Sequence, residues 1–168
     1  MSRASVRQEA DVLIVDDHAP MREAIRACIE RAFPGLLVVE ASDGASALRC
    51  VETQCPTLVL MDINLPDANG LDLTRSILKQ WPCAFVAAIS MDTGGGLSDR
   101  VRATGAMAFI GKDQLFQTLL PLVGAAVTLT NWMKGQEPHS LITVESVLNL
   151  RGHAKHFLGT DVQPVGQI

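Results

Sequence analysis

The run Val12-Leu13-Ile14-Val15-Asp16-Asp17 decides how the chain is read: four apolar residues, three of them β-branched, end abruptly in two carboxylates. There is no alternation of apolar and polar residues, so a strand with one wet face does not fit. A strand buried on both faces does, as in a parallel sheet covered by helices. The same pattern returns in Leu58-Val59-Leu60-Met61 followed by Asp62, and in Ala84 to Ile89 followed by Ser90. It returns once more in Met107 to Ile110 followed by Gly111-Lys112, and Leu36 to Val39 completes five expected strands.

Helical spacing fills the gaps. After Pro20, at a first helical position, Ile25, Cys28, Ile29 and Ala32 recur until Pro34-Gly35 stops the pattern. Ser42 or Asp43 is placed to cap a second helix with Ala45, Leu48 and Val51 on its inner face, and Pro56 ends it. Pro66 to Gly70 reads as a loop, and Leu71, Ile77 and Leu78 mark a third helix that stops before Pro82. Gly94-Gly95-Gly96 lacks the Lys-Ser/Thr of a phosphate loop and reads as a flexible hinge before a short helix through Val101. Asp113 is placed to cap a long fifth helix with a stripe of Leu115, Leu119, Leu122, Val123 and Ala126. Five strand–helix alternations predict an α/β domain, a five-stranded parallel sheet with helices on both faces.

Residues 1–10 are polar and are expected to form a flexible N-terminus. Residues 11–133 hold the five units, and residues 134–168 read as a C-terminal tail with one short helix within Leu141 to Leu150. The chain of 168 residues, 48% apolar and 19% charged, suffices for one domain with a sizeable core. A net charge of −4 offers no basic excess for nucleic acid. No apolar stretch approaches the roughly 20 residues of a membrane span. Cys28, Cys50, Cys55 and Cys83 form no C-x-x-C pair and read as small buried thiols. A cytoplasmic protein without membrane contact is expected.

The chemistry lies at the strand ends. Asp16, Asp17, Asp62, Ser90 and Lys112 all fall where a parallel sheet brings its carboxyl edge together, and ligands bind at that edge. At an effective dielectric near 20, two carboxylates about 4 Å apart repel by roughly 4 kcal/mol, so three need a cation or raised pKa values. Magnesium suits one or two carboxylates plus waters and phosphate oxygens. Lys112 adds a compact positive charge and Ser90 a hydroxyl donor, which together make a kit for phosphoryl transfer. Singly, each aspartate reads equally as a solvated strand end, Lys112 as a surface lysine and Phe109 as core. It is their joint placement that argues for function.

Asp16-Asp17, Asp62, Ser90, Phe109 and Lys112, in this order and approximate spacing, resemble the signature of bacterial response-regulator receiver domains. The resemblance covers about Asp11 to Met133. It implies a flavodoxin-like (βα)5 fold with Asp62 as phosphoacceptor. It implies Mg2+ or Mn2+ held by Asp17, Asp62 and the backbone carbonyl of Asn64, with Asp16 assisting. Lys112 and Ser90 would meet the phosphoryl group, and Phe109 would change rotamer with Ser90. The donor would be a sensor histidine kinase or histidine phosphotransfer protein, and no enzymatic output is expected.

Two departures and two alternatives accompany the resemblance. Met91 stands where the family commonly has a small residue, which predicts restricted access to Asp62. The Lys112-Asp113 junction resembles receivers that precede helix-turn-helix domains, yet the tail's balance of charges predicts a protein readout rather than DNA contact. A haloacid-dehalogenase-like phosphatase would need Asp-x-Asp on the first strand, and Asp16-Asp17-His18 does not supply it. A DNA-binding regulator with a short output segment is the other alternative. The apolar excess of the fifth helix, at Phe116, Leu120, Val127 and Trp132, predicts packing under the tail or a homodimer surface. His153 and His156 have no clear metal partners.

Overall fold

A computed structural model describes residues 10–133 of the chain. The elements run β1 (Val12–Val15), α1 (Ala19–Ala32), β2 (Val38–Ala41), α2 (Gly44–Gln54), β3 (Leu58–Asp62), α3 (Gly70–Gln80), β4 (Phe85–Ser90), α4 (Leu97–Arg102), β5 (Ala108–Gly111) and α5 (Leu115–Met133). All strand pairs are parallel, in the order β2-β1-β3-β4-β5. The chain leaves β1 toward one edge and returns on its other side at β3, so the topological switch lies between β1 and β3.

The unbroken apolar runs follow from this order. Successive side chains on a strand point to opposite faces, and here both faces are covered. Val12, Ile14, Leu58 and Leu60 pack with Ile25 and Ile29 of α1 and Leu115, Leu119 and Val123 of α5. Leu13, Val15, Val59 and Met61 pack on the opposite face with Ala47 and Val51 of α2 and Leu73 and Ile77 of α3. A smaller third cluster joins Ile63, Leu71, Ala88, Leu97, Val101 and Ala106, with Phe109 packed against it. Among the described residues, no helix is long and apolar enough to cross a membrane.

Several boundaries differ from the sequence reading, each for a local reason. The second strand begins at Val38, not Leu36, because Leu37 is used in the approach. Its N–H donates to Asp11 Oδ2 at 2.7 Å and its carbonyl accepts the N–H groups of Asp11 and Val12. Glu40 enters the strand because Arg22 and Arg26 neutralise it. The fourth and fifth strands begin one residue later than read, at Phe85 and Ala108, and end as expected at Ser90 and Gly111, which pair in the last rung.

Asp43, rather than Ser42, caps α2 by accepting the Ser46 N–H, and Ala45 is exposed while Gly44 is buried on the inner face. Gly70 is not loop but the first residue of α3, capped by Asn69. Asp113 does not cap α5: a turn closed by Gln114 N–H on the Gly111 carbonyl precedes the helix, and Thr118 N–H returns to Gln114. The cysteines are less buried than expected, with Cys83 exposed and the other three half-buried. The expected helix within 141–150, and His153 and His156, lie outside the described residues.

Candidate functional site

The strand register assembles the site. β1 and β3 pair Val15 with Met61, which brings the next residues, Asp16 and Asp62, level at the switch point. Asp16, Asp17 and Asp62 each place a carboxylate oxygen within 4.8 Å of the others. Asp16 and Asp62 are buried, at 2% and 3% exposure, whereas Asp17 faces solvent.

Lys112, delivered by the end of β5, reaches across two strands. Its Nζ lies 2.7 Å from Asp62 Oδ2 and 2.7 Å from Asp16 Oδ2. Burial alone would lower the lysine pKa. The close contacts and negative charges of Asp16 and Asp62 outweigh burial and hold it above the ordinary lysine value. The second oxygens of the two aspartates are tied to the backbone: Asp62 Oδ1 accepts the Asn64 N–H at 3.0 Å, and Asp16 Oδ1 accepts the His18 N–H at 2.8 Å. Asp16 Oδ2 has an ionic contact with Lys112 but no well-aligned hydrogen bond among the described residues.

A buried, incompletely satisfied carboxylate oxygen beside an exposed carboxylate is the donor set a hard divalent cation fits. Asp16, Asp17 and Asp62 would hold Mg2+ or Mn2+ with the solvent side left for water or phosphate oxygens. One lysine against three carboxylates leaves a formal charge of −2 for such an ion to balance.

The remaining expected residues fall around this centre. Ser90 is fully buried, its Oγ accepting the Asp92 N–H at 3.1 Å, and its carbonyl accepts the Lys112 N–H at 2.8 Å. Asn64 is exposed in the loop after β3. Phe109 is half-buried against the third cluster rather than in either main core. Met91, next to the buried Ser90, is 77% exposed.

Three supports escaped the sequence reading. A Cβ on Gly70 would come 2.2 Å from the Asp62 carbonyl oxygen and 2.8 Å from the Ile63 Cα, so α3 can start against the site only with glycine there. Asp67 reaches back to α2, accepting the Gly44 and Ala45 N–H groups at 2.8 and 3.1 Å, and so anchors the loop after Asp62. Arg22 donates from Nη1 to the Asp16 carbonyl at 2.7 Å. Only Glu40 hinted at the last of these, as a charge in a strand that needs a partner.

A parallel five-stranded α/β protein with an acidic pocket and a bridging lysine at its strand ends is thus defined. The chain belongs to the response regulator receiver domain family, whose profile matches residues 12–123. It is 28% identical over 131 residues to the transcriptional regulatory protein DegU of Brevibacillus brevis, covering 78% of this chain and 56% of that protein. A protein-glutamate methylesterase/protein-glutamine glutaminase of Hahella chejuensis is 42% identical over 77 residues, which is 45% of this chain and 22% of that protein. The chain therefore spans about half, or less, of the length of these relatives.

Among solved structures, a LuxR-family two-component response regulator from Aurantimonas sp. SI85-9A1 superimposes with a TM-score of 0.61 at 27% identity, over 86% of this chain and 99% of that one. The chain carries a receiver domain of two-component signalling, a family whose members work with histidine kinases or phosphotransfer proteins. The fold is generally that of a signalling module rather than an enzyme, and the esterase likeness is confined to the receiver region.

Proposed function

We propose that Asp62 accepts a phosphoryl group from a sensor histidine kinase or a histidine phosphotransfer protein. The observation that supports this most is Lys112 Nζ set 2.7 Å from both buried carboxylates, at the switch point of a parallel sheet. Asp16, Asp17, Asp62 and the Asn64 backbone carbonyl would hold Mg2+ or Mn2+, which, when bound, screens charge between carboxylates and phosphate oxygens. An Asp62 carboxylate oxygen attacks phosphorus, the phosphorus–nitrogen bond of the phosphohistidine breaks, and an acyl phosphate forms. Lys112 then turns one of its bonds from Asp62 to a phosphoryl oxygen. Ser90 donates its O–H to another, leaving the Asp92 N–H it now accepts. Phe109 follows into the space released, and the surface formed by α4 and β5 changes.

On this reading residues 11–133 are the receiver unit and residues 134–168 a tail, the location is cytoplasmic, and the changed surface is read by a protein partner or a second copy of the chain. The name of the DegU relative points to transcription as the process controlled. The test is phosphorylation by acetyl phosphate or a phosphorylated kinase. Wild type should acquire an acid-labile phosphoryl group and Asp62→Asn should not. Full labelling of the variant would refute the assignment.

A further inference from the structure

Asp17 poses a positioning problem. It is exposed, and no hydrogen bond or ion pair to a described residue holds its side chain. Asp16 and Asp62, by contrast, are each fixed by Lys112 and by a backbone N–H. What the fold fixes at Asp17 is therefore its backbone, through the peptide that joins it to Asp16, and with it the direction in which the side chain leaves the chain toward Asp62.

That peptide is held from outside the acidic cluster. Arg22, in the first turns of α1, donates from Nη1 to the Asp16 carbonyl oxygen at 2.7 Å. The same guanidinium donates from Nε to Glu40 Oε2 at 3.1 Å, and Arg26 Nε takes Glu40 Oε1 at 2.6 Å. Arg22 and Glu40 side chains are only 15% and 17% exposed. A planar fork with both ends occupied has one orientation, which a lysine ammonium cannot reproduce.

Resting on the phosphoacceptor reading above, we propose that Arg22 is a positioning residue for the divalent cation. It fixes the Asp16–Asp17 peptide and so aims the Asp17 carboxylate. The chain from β2 to the site runs Glu40, Arg22, the Asp16 carbonyl, then Asp17. Groups that orient a ligand from behind are typically worth 10–100-fold in metal affinity.

The sign of the effect separates positioning from simple electrostatics. A cationic guanidinium near the site opposes a bound cation, so removing it would tighten binding if charge were its whole influence. Positioning predicts the reverse. The test uses the full chain with Mn2+ alone as probe, titrated by electron paramagnetic resonance at fixed ionic strength, with folding checked by circular dichroism.

Arg22→Ala should weaken Mn2+ binding on the order of tenfold. Arg22→Lys, with charge conserved, should fall between it and wild type. Unchanged or tighter binding in Arg22→Ala overturns the proposal. Should that variant not fold, wild-type affinity in Arg22→Lys overturns it equally. Asp17→Asn distinguishes the two levels: if it leaves Mn2+ affinity untouched, the metal site itself is wrong and this inference falls with it. If it abolishes binding while Arg22→Ala does not weaken it, only the role of Arg22 is refuted.

Discussion

Replacing Lys112 with methionine should strongly destabilise the metal-free protein. Its Nζ makes two contacts of 2.7 Å, to Asp16 Oδ2 and Asp62 Oδ2, on carboxylates whose side chains are 2% and 4% exposed. At an effective dielectric of 20 each contact is worth about 6 kcal/mol of gross attraction, most of it offset by desolvation of the ions. Breaking a buried pair from one side typically costs about 3–5 kcal/mol, because the partner charge is left without compensation. Here two carboxylates are left facing each other, but Asp17 and the open mouth admit water, which favours the lower end. A loss of about 3 kcal/mol in a domain of this size corresponds to a melting temperature roughly 10 °C lower.

The assay is thermal unfolding by circular dichroism in EDTA. Adding Mg2+ should recover more stability in Lys112→Met than in wild type, since the ion would replace the missing charge. Asp62→Asn placed on top of Lys112→Met should be less damaging than the sum of the single changes, because it removes one unpaired charge. The pH dependence has a definite sign: the Lys112 pKa is raised, so its contribution is complete below the ordinary lysine value near 10.4 and fades only as pH rises through the raised folded value. A variant that melts within about 2 °C of wild type in EDTA would refute the claim that this lysine holds the pocket together.

Two further outcomes are expected. Gly70→Ala forces a Cβ to 2.2 Å from the Asp62 carbonyl oxygen, so the β3–α3 junction must move. A stability loss of about 3 kcal/mol by urea titration is expected, together with weaker Mn2+ binding, and wild-type values for both would contradict the close approach. Asp43 has a lowered pKa, chiefly through the Ser46 backbone N–H. Its contribution is therefore present above the unfolded value near 3.9 and lost as pH falls through the lower folded value. Asp43→Asn should keep the cap but flatten that limb, and parallel wild-type and variant stability curves between pH 5 and 2 would exclude it.

The sequence exposed the sheet and the strand-end chemistry for one physical reason. In a parallel sheet covered on both faces each strand must be wholly apolar, so the first polar residue after a run marks the carboxyl edge. Asp16, Asp62, Ser90 and Lys112 were found that way, and the fold brings them to one edge. What escaped was chemistry between elements distant in the chain. Asp67 bonds backbone groups at positions 44 and 45, and backbone donors leave no trace in side-chain identity. Gly70 reads as an ordinary loop glycine unless the position of the Asp62 carbonyl is known. Asp113 had the right chemistry for a cap, but the turn closed on Gly111 moved the helix start past it.

The distribution of the core limits where a phosphoryl-driven switch can act. Moving a two-state equilibrium from 1:99 to 99:1 needs about 5.5 kcal/mol of differential interaction. On the proposed mechanism the new contacts are charge-assisted bonds from Ser90 and Lys112, each worth about 1.5–3 kcal/mol. Against them stand the Asp92 N–H bond to Ser90 Oγ and the Lys112 bond to Asp62, both given up. The surplus is small. Repacking either main cluster would disturb Ile25, Leu115 and Leu119 or Val51 and Ile77, all fully buried, at costs that each approach the whole surplus. The third cluster has fewer members and is closed by α4, a six-residue helix entered through Gly95 and Gly96 in left-handed conformation. Phe109 is only partly buried there. It is thus the part of the core that the available energy can rearrange, and the readout surface should be sought at α4 and the adjoining face of β5.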